Sequence, residues 1–277
     1  MAHFNPPGAG SVAIVTGASA GIGRAFARAL AGRGHPVLAV ARRAEKLAEL
    51  VAEARAAGIG SIEPLALDVT AEGAADRIVA AAGRLGEIGW LVNNAGGSTF
   101  GRFENADVGA ERALVRLNCE AVVALTGRVL PDLVSRRRGI VVNVASSAGM
   151  QPTPGWAVYG ASKAFVIAFS EGLYDELRGS GVSVTALAPG PVATEFFAAS
   201  AAGRARRAPP WEISAEDCVD RAIRGALAGR ALVVVGLPTR LLVFGSRFSP
   251  RALARWVSGR IGLRFIGLPP LPPRSSR

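Results

Sequence analysis

Short apolar, β-branched runs alternate along this chain with longer Ala-rich stretches of helical period. "SVAIVTG" (11–17), "PVLAVAR" (36–42) and "IEPLALDV" (62–69) read as three strands. "GWLVNNAG" (89–96), "GIVVNVAS" (139–146), "VSVTALAPG" (182–190) and "ALVVVG" (231–236) read as four more. Helical patterns fill the gaps at 21–34, 44–58, 74–86, 110–134 and about 157–178. The strands are apolar almost throughout, so both of their faces are covered, as in a parallel sheet. Strands separated by helices and joined by right-handed crossovers give an α/β, doubly wound parallel sheet. The pattern predicts one domain over 11–236, with no internal repeat and no linker before about residue 195.

Half of the 277 residues are hydrophobic, enough for a sizeable core and too many for a disordered chain. The two cysteines, Cys119 and Cys218, form no metal or disulfide pattern, and reduced thiols fit a cytoplasmic setting. Two histidines, His3 and His35, leave little from which to build a metal site or a Ser-His-Asp triad. The N-terminus has no basic segment followed by an apolar run, so no signal peptide is expected. No apolar stretch reaches the length of a membrane-spanning helix.

The net charge of +11 changes meaning once it is located. Residues 1–220 carry 21 basic and 21 acidic side chains, whereas 221–277 carry 11 Arg and no acid. The body is neutral and the tail is basic, which argues against a nucleic-acid partner. Residues 237–277 read as a basic amphipathic and proline-rich extension ending in "LPPLPPR". Ser249 is expected to cap a helix whose first residue is Pro250. Arg247, Arg251 and Arg255 fall on one face, and Leu253, Trp256 and Val257 on the other. Such a helix can lie on an anionic membrane, with contact expected through residues 240–266, or it can pack on the body or on a second subunit.

The turn "TGASAGIG" (16–23) stands between the first strand and the first helix. Gly17, Gly21 and Gly23 allow a tight turn and let a pyrophosphate reach helix-end amides. No G-K-[ST] follows, so a Walker A loop is excluded. The second strand ends in Ala41-Arg42-Arg43, with no acid to accept from a ribose 2′-OH. An arginine there can pair with a 2′-phosphate, which favours NADP(H) over NAD(H). Farther on, "VYGASKAF" places Tyr159 and Lys163 on one helix face, where an ammonium can assist proton transfer by the phenol.

The pieces "TGASAGIG", "LDV", "NNAG", "LN", "VNVASSAG", "YGASK" and "APGPVAT" occur in the order of the short-chain dehydrogenase/reductase family. The resemblance covers roughly 11–236 and implies a Rossmann-like fold. It implies that Tyr159 is the general acid/base, that Lys163 lowers its pKa and holds the nicotinamide ribose, and that Ser146 bonds the reacting oxygen. Ser146 rather than Ser147 is chosen because the family's serine-to-tyrosine separation is 13, and because Ser147 would point to the opposite side of an extended strand end. Asn118 would help hold a water linking Lys163 to solvent. Ser19 and Ile22 would join the glycine turn, and Asp68 and Val69 would meet the adenine. Asn94, Ala95 and Gly96 would line the adenosine ribose, and Pro189, Gly190, Val192 and Thr194 would cover the nicotinamide. Asn93 can be purely structural.

The family's variable substrate lid maps onto 194–217. Phe196, Phe197 and Trp211, with Met150 and Trp156, suggest a broad apolar pocket; Arg204, Arg206 and Arg207 read as solvated charge. The expected activity is NADP(H)-dependent interconversion of a carbonyl and an alcohol, on a small-molecule substrate, in a homodimer or homotetramer. A nucleotide-binding sensor or scaffold is one competing reading, but it has no need for all four of Asn118, Ser146, Tyr159 and Lys163; the other is a peripheral membrane protein acting through its basic tail.

Overall fold

The computed structural model describes residues 4–194 and 211–265. Seven strands form its sheet: β1 (Val12–Thr16), β2 (Val37–Ala41), β3 (Ile62–Ala66), β4 (Ile88–Asn93), β5 (Gly139–Val144), β6 (Val182–Pro189) and β7 (Leu232–Val235). All pair in parallel, in the order β3-β2-β1-β4-β5-β6-β7. The helices between them are α1 (Gly21–Ala31), α2 (Ala44–Ala56), α3 (Ala74–Gly83), α4 (Val108–Val115), α5 (Ala121–Ser135), α6 (Ala157–Glu176) and α7 (Ala215–Leu227). Two more, α8 (Leu237–Phe248) and α9 (Arg251–Phe265), follow β7.

The two-residue strand period divides the core. Ala13 and Val15 of β1 meet Phe26 and Leu30 of α1, Leu47 and Leu50 of α2, and Val219 and Ile223 of α7. Val12 and Ile14 turn the other way, onto Ile78 of α3 and Leu125, Val129 and Leu133 of α5. Full burial of each Val, Leu, Ile or Phe among them contributes about 1.5–3 kcal/mol before the cost of ordering the chain. Pro64 sits in β3, at the sheet edge, where its missing N–H is least costly. Strand order reverses between β1 and β4, which opens a crevice at their carboxyl ends.

Four differences from the sequence expectation bear on the cleft and the tail. The fourth strand ends at Asn93 rather than Gly96, because Asn94 and Ala95 leave the ladder to bond Thr16. The single helix expected over 110–134 is two helices joined by a π turn, Arg116–Glu120. Asn118 lies within that turn, a local widening that tends to mark functional positions. Ser249 does not cap the last helix: its hydroxyl donates back to Gly245 O at 2.8 Å, closing α8. The last helix starts at Arg251, with Pro250 O accepting from Ala254 N at 3.1 Å. Helix α8 itself was not foreseen; Gly236 at φ 99° and Pro238 in the first turn set its start. Among the described residues no helix is long and apolar enough to cross a membrane.

Under the sheet's carboxyl edge, Asn93 is buried in a polar network. Its Nδ2 donates to Thr126 Oγ1 at 2.9 Å and to Asn143 Oδ1 at 2.8 Å. Asn143 Nδ2 donates in turn to Ser170 Oγ at 2.9 Å, and Ser170 Oγ to Val166 O at 2.6 Å. This chain links β4, β5, α5 and α6 through buried groups that cannot turn to water. Asn93→Ala strands its partners, and urea unfolding should show a loss of about 1–3 kcal/mol.

Candidate active site

The crevice at the ends of β1 and β4 is framed by one hydroxyl. Thr16 Oγ1 accepts from Asn94 N and Ala95 N, each at 3.0 Å, and donates to Val92 O at 3.3 Å. Asn94 Nδ2 donates to Thr16 O at 2.9 Å and to Gly17 O at 3.3 Å. A Cβ on Gly23 would run into Asn94 Nδ2 and Gly17 O, so this close approach requires glycine there. Helix α1 begins directly above, with no side chain capping its N-terminus and no acid in its first turn. Free first-turn amides beside a glycine turn are a fitting cradle for a pyrophosphate.

A cleft of about 610 Å³ opens from this point. Gly17, Ser19, Gly21, Ile22, Arg42, Asp68, Val69, Asn94, Ala95 and Gly96 line one part of it. Ser146, Tyr159, Lys163, Pro189, Gly190, Val192 and Thr194 line the rest. Gly23 and Asn118 stand behind the wall. Arg43 lines the cleft as well, and its Nη2 donates to Ser19 Oγ at 3.1 Å. Arg42 is largely exposed, 3.9 Å from Asp68. The Asp68 carboxyl is held low by hydrogen bonds from Thr70, with help from Arg42. Two cations therefore meet at the end of β2, beside the glycine turn.

Ser146 is extended at φ −165°, and its Oγ accepts from Ala148 N at 3.1 Å. It faces the cleft and Ser147 does not. The reason is not strand pleating, since β5 ends at Val144 and Ser147 enters a 3₁₀ turn, Ser147–Met150. That turn lies tight against α6, where a Cβ on Gly149 would meet the backbone of Lys163 and Ala164.

Tyr159 and Lys163 project from the first turns of α6, buried at 8% and 5% exposure. Burial pushes the Tyr159 phenol up to about 12, with its hydrogen bond to Ser146 acting in the opposite direction. Burial pushes the Lys163 ammonium down to about 8, partly offset by nearby Cys119. Lys163 Nζ donates to Val144 O at 2.8 Å and lies 5.9 Å from the Tyr159 ring centroid. Desolvation is the largest influence on both groups, and the lysine is turned to a carbonyl.

Asn118 is 1% exposed. Its Oδ1 accepts from Gly97 N at 3.0 Å, and its Nδ2 donates to Gly97 O at 3.1 Å and Ser162 Oγ at 3.0 Å. Ser162 Oγ donates to Tyr159 O at 2.7 Å. Asn118 therefore ties the loop after β4 to the helix carrying Tyr159 and Lys163. Sequence reasoning named Arg43 beside Arg42 but gave no role to Thr16, Gly97 or Ser162. A polar residue at the end of an apolar strand was the one signal for Thr16; the others show only once distant segments meet.

On the substrate side, Trp156 packs against Phe100 at 5.1 Å and edge-on to Tyr159 at 6.0 Å. Met150 instead packs against Ala145, Val166 and Ile167. Trp211 is 48% exposed. Phe196, Phe197, Arg204, Arg206 and Arg207 lie outside the described residues. The flanks of that segment are joined, with Ala193 N donating to Ile213 O at 2.9 Å and Ile213 N to Pro191 O at 3.2 Å.

The buried ammonium gives a pH signature. A lysine that binds its proton less tightly folded than unfolded destabilises the fold below its folded pKa, and that cost is relieved as pH rises. Between about pH 8 and the usual 10.5, wild type should gain on the order of 3 kcal/mol relative to Lys163→Met. Urea unfolding of the two proteins at both ends of that window measures it.

The short chain dehydrogenase family pattern matches residues 11–205. An uncharacterised oxidoreductase of Myxococcus xanthus is 38% identical over 234 residues, covering 83% of this chain and 90% of the relative. A very-long-chain 3-oxoacyl-CoA reductase of Anas platyrhynchos is 39% identical over 196 residues, 69% of this chain and 62% of the reductase's length. A short-chain dehydrogenase of Sphingobium yanoikuyae, solved with NADPH, superimposes with a TM-score of 0.76 at 32% identity, covering 86% of this chain and 93% of the other. The chain belongs to the short-chain dehydrogenase/reductase family and is an oxidoreductase that uses a nicotinamide cofactor.

Proposed function

We propose that this enzyme uses NADP(H) to interconvert an apolar carbonyl compound and its secondary alcohol. One observation carries the reading: Ser146, Tyr159 and Lys163 share a cleft with Arg42, Arg43 and the glycine turn. When bound, the nicotinamide supplies the hydride donor or acceptor. Ser146 donates a hydrogen bond to the reacting oxygen, and Tyr159 delivers or removes the proton on that oxygen. A phenol held near 12 stays protonated at neutral pH, which suits an acid in the reductive direction. Lys163 carries the ammonium that answers charge on the tyrosine, and Asn118 orients the route by which a proton is replaced. Arg42 and Arg43 grip a 2′-phosphate through charge-assisted hydrogen bonds. Phe100 and Trp156 offer an apolar wall beside Tyr159, and the 3-oxoacyl substrate named for the Anas platyrhynchos relative supports a long-chain carbonyl. The exposed Val115, Val123 and Phe165 on α4, α5 and α6 support self-association through those helices.

Tyr159→Phe should retain NADPH binding in fluorescence titration and lose about 10²–10⁴-fold in turnover of aliphatic and aryl ketones. Turnover that survives the substitution would remove Tyr159 from its assigned role. Arg42→Ala/Arg43→Ala should weaken NADPH by about 10–100-fold and leave NADH nearly unchanged. An equal loss for both cofactors would place the arginines away from the 2′-phosphate.

A further inference from the structure

Seven of the fourteen exposed large hydrophobic side chains among the described residues fall within 237–256. On α8 they follow a pattern. Leu237, Leu241, Phe244 and Phe248 are spaced 4, 3 and 4 apart, so they share one helix face. That face is 65–74% exposed. The opposite side of α8, with Thr239 and Val243, is buried. The helix thus turns its apolar stripe to solvent. Phe244 and Phe248 pack together at 4.9 Å. On α9, Leu253 and Trp256 are 49% and 58% exposed, and Arg260 lies 4.5 Å over the Trp256 ring. The side of α9 that docks is Ser258, Gly259 and Leu263, not the apolar face expected from sequence.

The charged side chains of α8 and α9 themselves are all of one sign. Arg240, Arg251, Arg255 and Arg260 are exposed, and 221–277 holds no acid. The segments beneath it, 145–157 and 189–194, carry no charge at all. A two-fold contact between copies would set this patch against itself, arginine against arginine. A surface dense in anions and apolar within a few ångströms' depth complements both features.

We propose that α8 and α9 form a docking face for an anionic lipid bilayer. The stripe on α8 enters the interfacial region, while the arginines of α9 pair with lipid phosphates. The face is built onto the rim of the cleft. Thr239 of α8 abuts Gly190, and Ser258 of α9 donates to Pro152 O at 2.6 Å, between Ser146 and Tyr159 in the chain. A bilayer held there would supply a carbonyl dissolved in the lipid, a consequence that rests on the proposed reductase reading.

Sedimentation of the full chain with vesicles tests the proposal. Wild type should bind phosphatidylcholine–phosphatidylglycerol vesicles, bind phosphatidylcholine alone far less, and release as salt rises. Phe244→Asp/Phe248→Asp should lower partitioning at least about tenfold. Arg251→Gln/Arg255→Gln should lower it about fivefold or more on anionic vesicles only. All four side chains are exposed and outside the cleft, so NADPH binding should be unchanged. No vesicle binding by wild type, or binding that both variants retain, overturns the proposal. So does a wild-type dimer in light scattering that becomes a monomer in Phe244→Asp/Phe248→Asp, because the face would then be a self-interface. Vesicle binding without any carbonyl reduction would sink the reductase reading and still support the docking face.

Discussion

The hydroxyl of Thr16 joins two strand ends that diverge. By accepting from Asn94 and Ala95 and donating to Val92, it pins the end of β1 to the end of β4 where the strand order reverses. The glycine turn depends on that joint, because Asn94 then reaches Thr16 O and Gly17 O. The start of α1 depends on it too, since Gly23 slips beneath Asn94. The cleft is the gap left when these two chain segments are held together while their connecting helices leave to opposite faces of the sheet.

A second constraint is the burial of Lys163. The sheet and α6 bury an ammonium to 5% exposure, and the chain compensates with the Val144 carbonyl. One carbonyl does not replace a hydration shell, so the proton is held less tightly than in water. The same desolvation keeps the Tyr159 phenol neutral. Two groups of opposite charge type, both pushed toward their neutral forms by burial, stand together in the cleft wall. Charge that develops there meets little competing solvent, and this is the setting that the proposed proton transfer calls for. Asn118 and Ser162 keep the geometry by tying the Gly97 loop to α6.

The C-terminal helices obey a different balance. The body buries its apolar residues on two sheet faces, whereas α8 rests on the body through Thr239 and Val243 and leaves leucines and phenylalanines outside. Exposed stripes of this kind mark interaction surfaces. Their junction with Gly190 and Pro152 couples the stripe to the cleft rim rather than to the remote edge of the sheet.

Much of this architecture was legible in the chain itself. Continuous β-branched runs between helical periods required a doubly covered parallel sheet, because backbone pairing and apolar burial leave few other arrangements. Glycine spacing, the absence of an acid after β2 and the Tyr159–Lys163 interval are local features, and local features survive in sequence. The π turn at Asn118, the Thr16 joint and the Arg43–Ser19 bond were not legible, because each joins residues far apart along the chain. The desolvation of Tyr159 was hidden for the same reason: an i,i+4 lysine argues for a lower pKa, but burial, which raises it, is a property of the packed fold. The tail's composition was written plainly as arginine with leucine and phenylalanine. Which side of α8 meets the body was decided only when Thr239 found its place against Gly190 and the apolar stripe was left facing out.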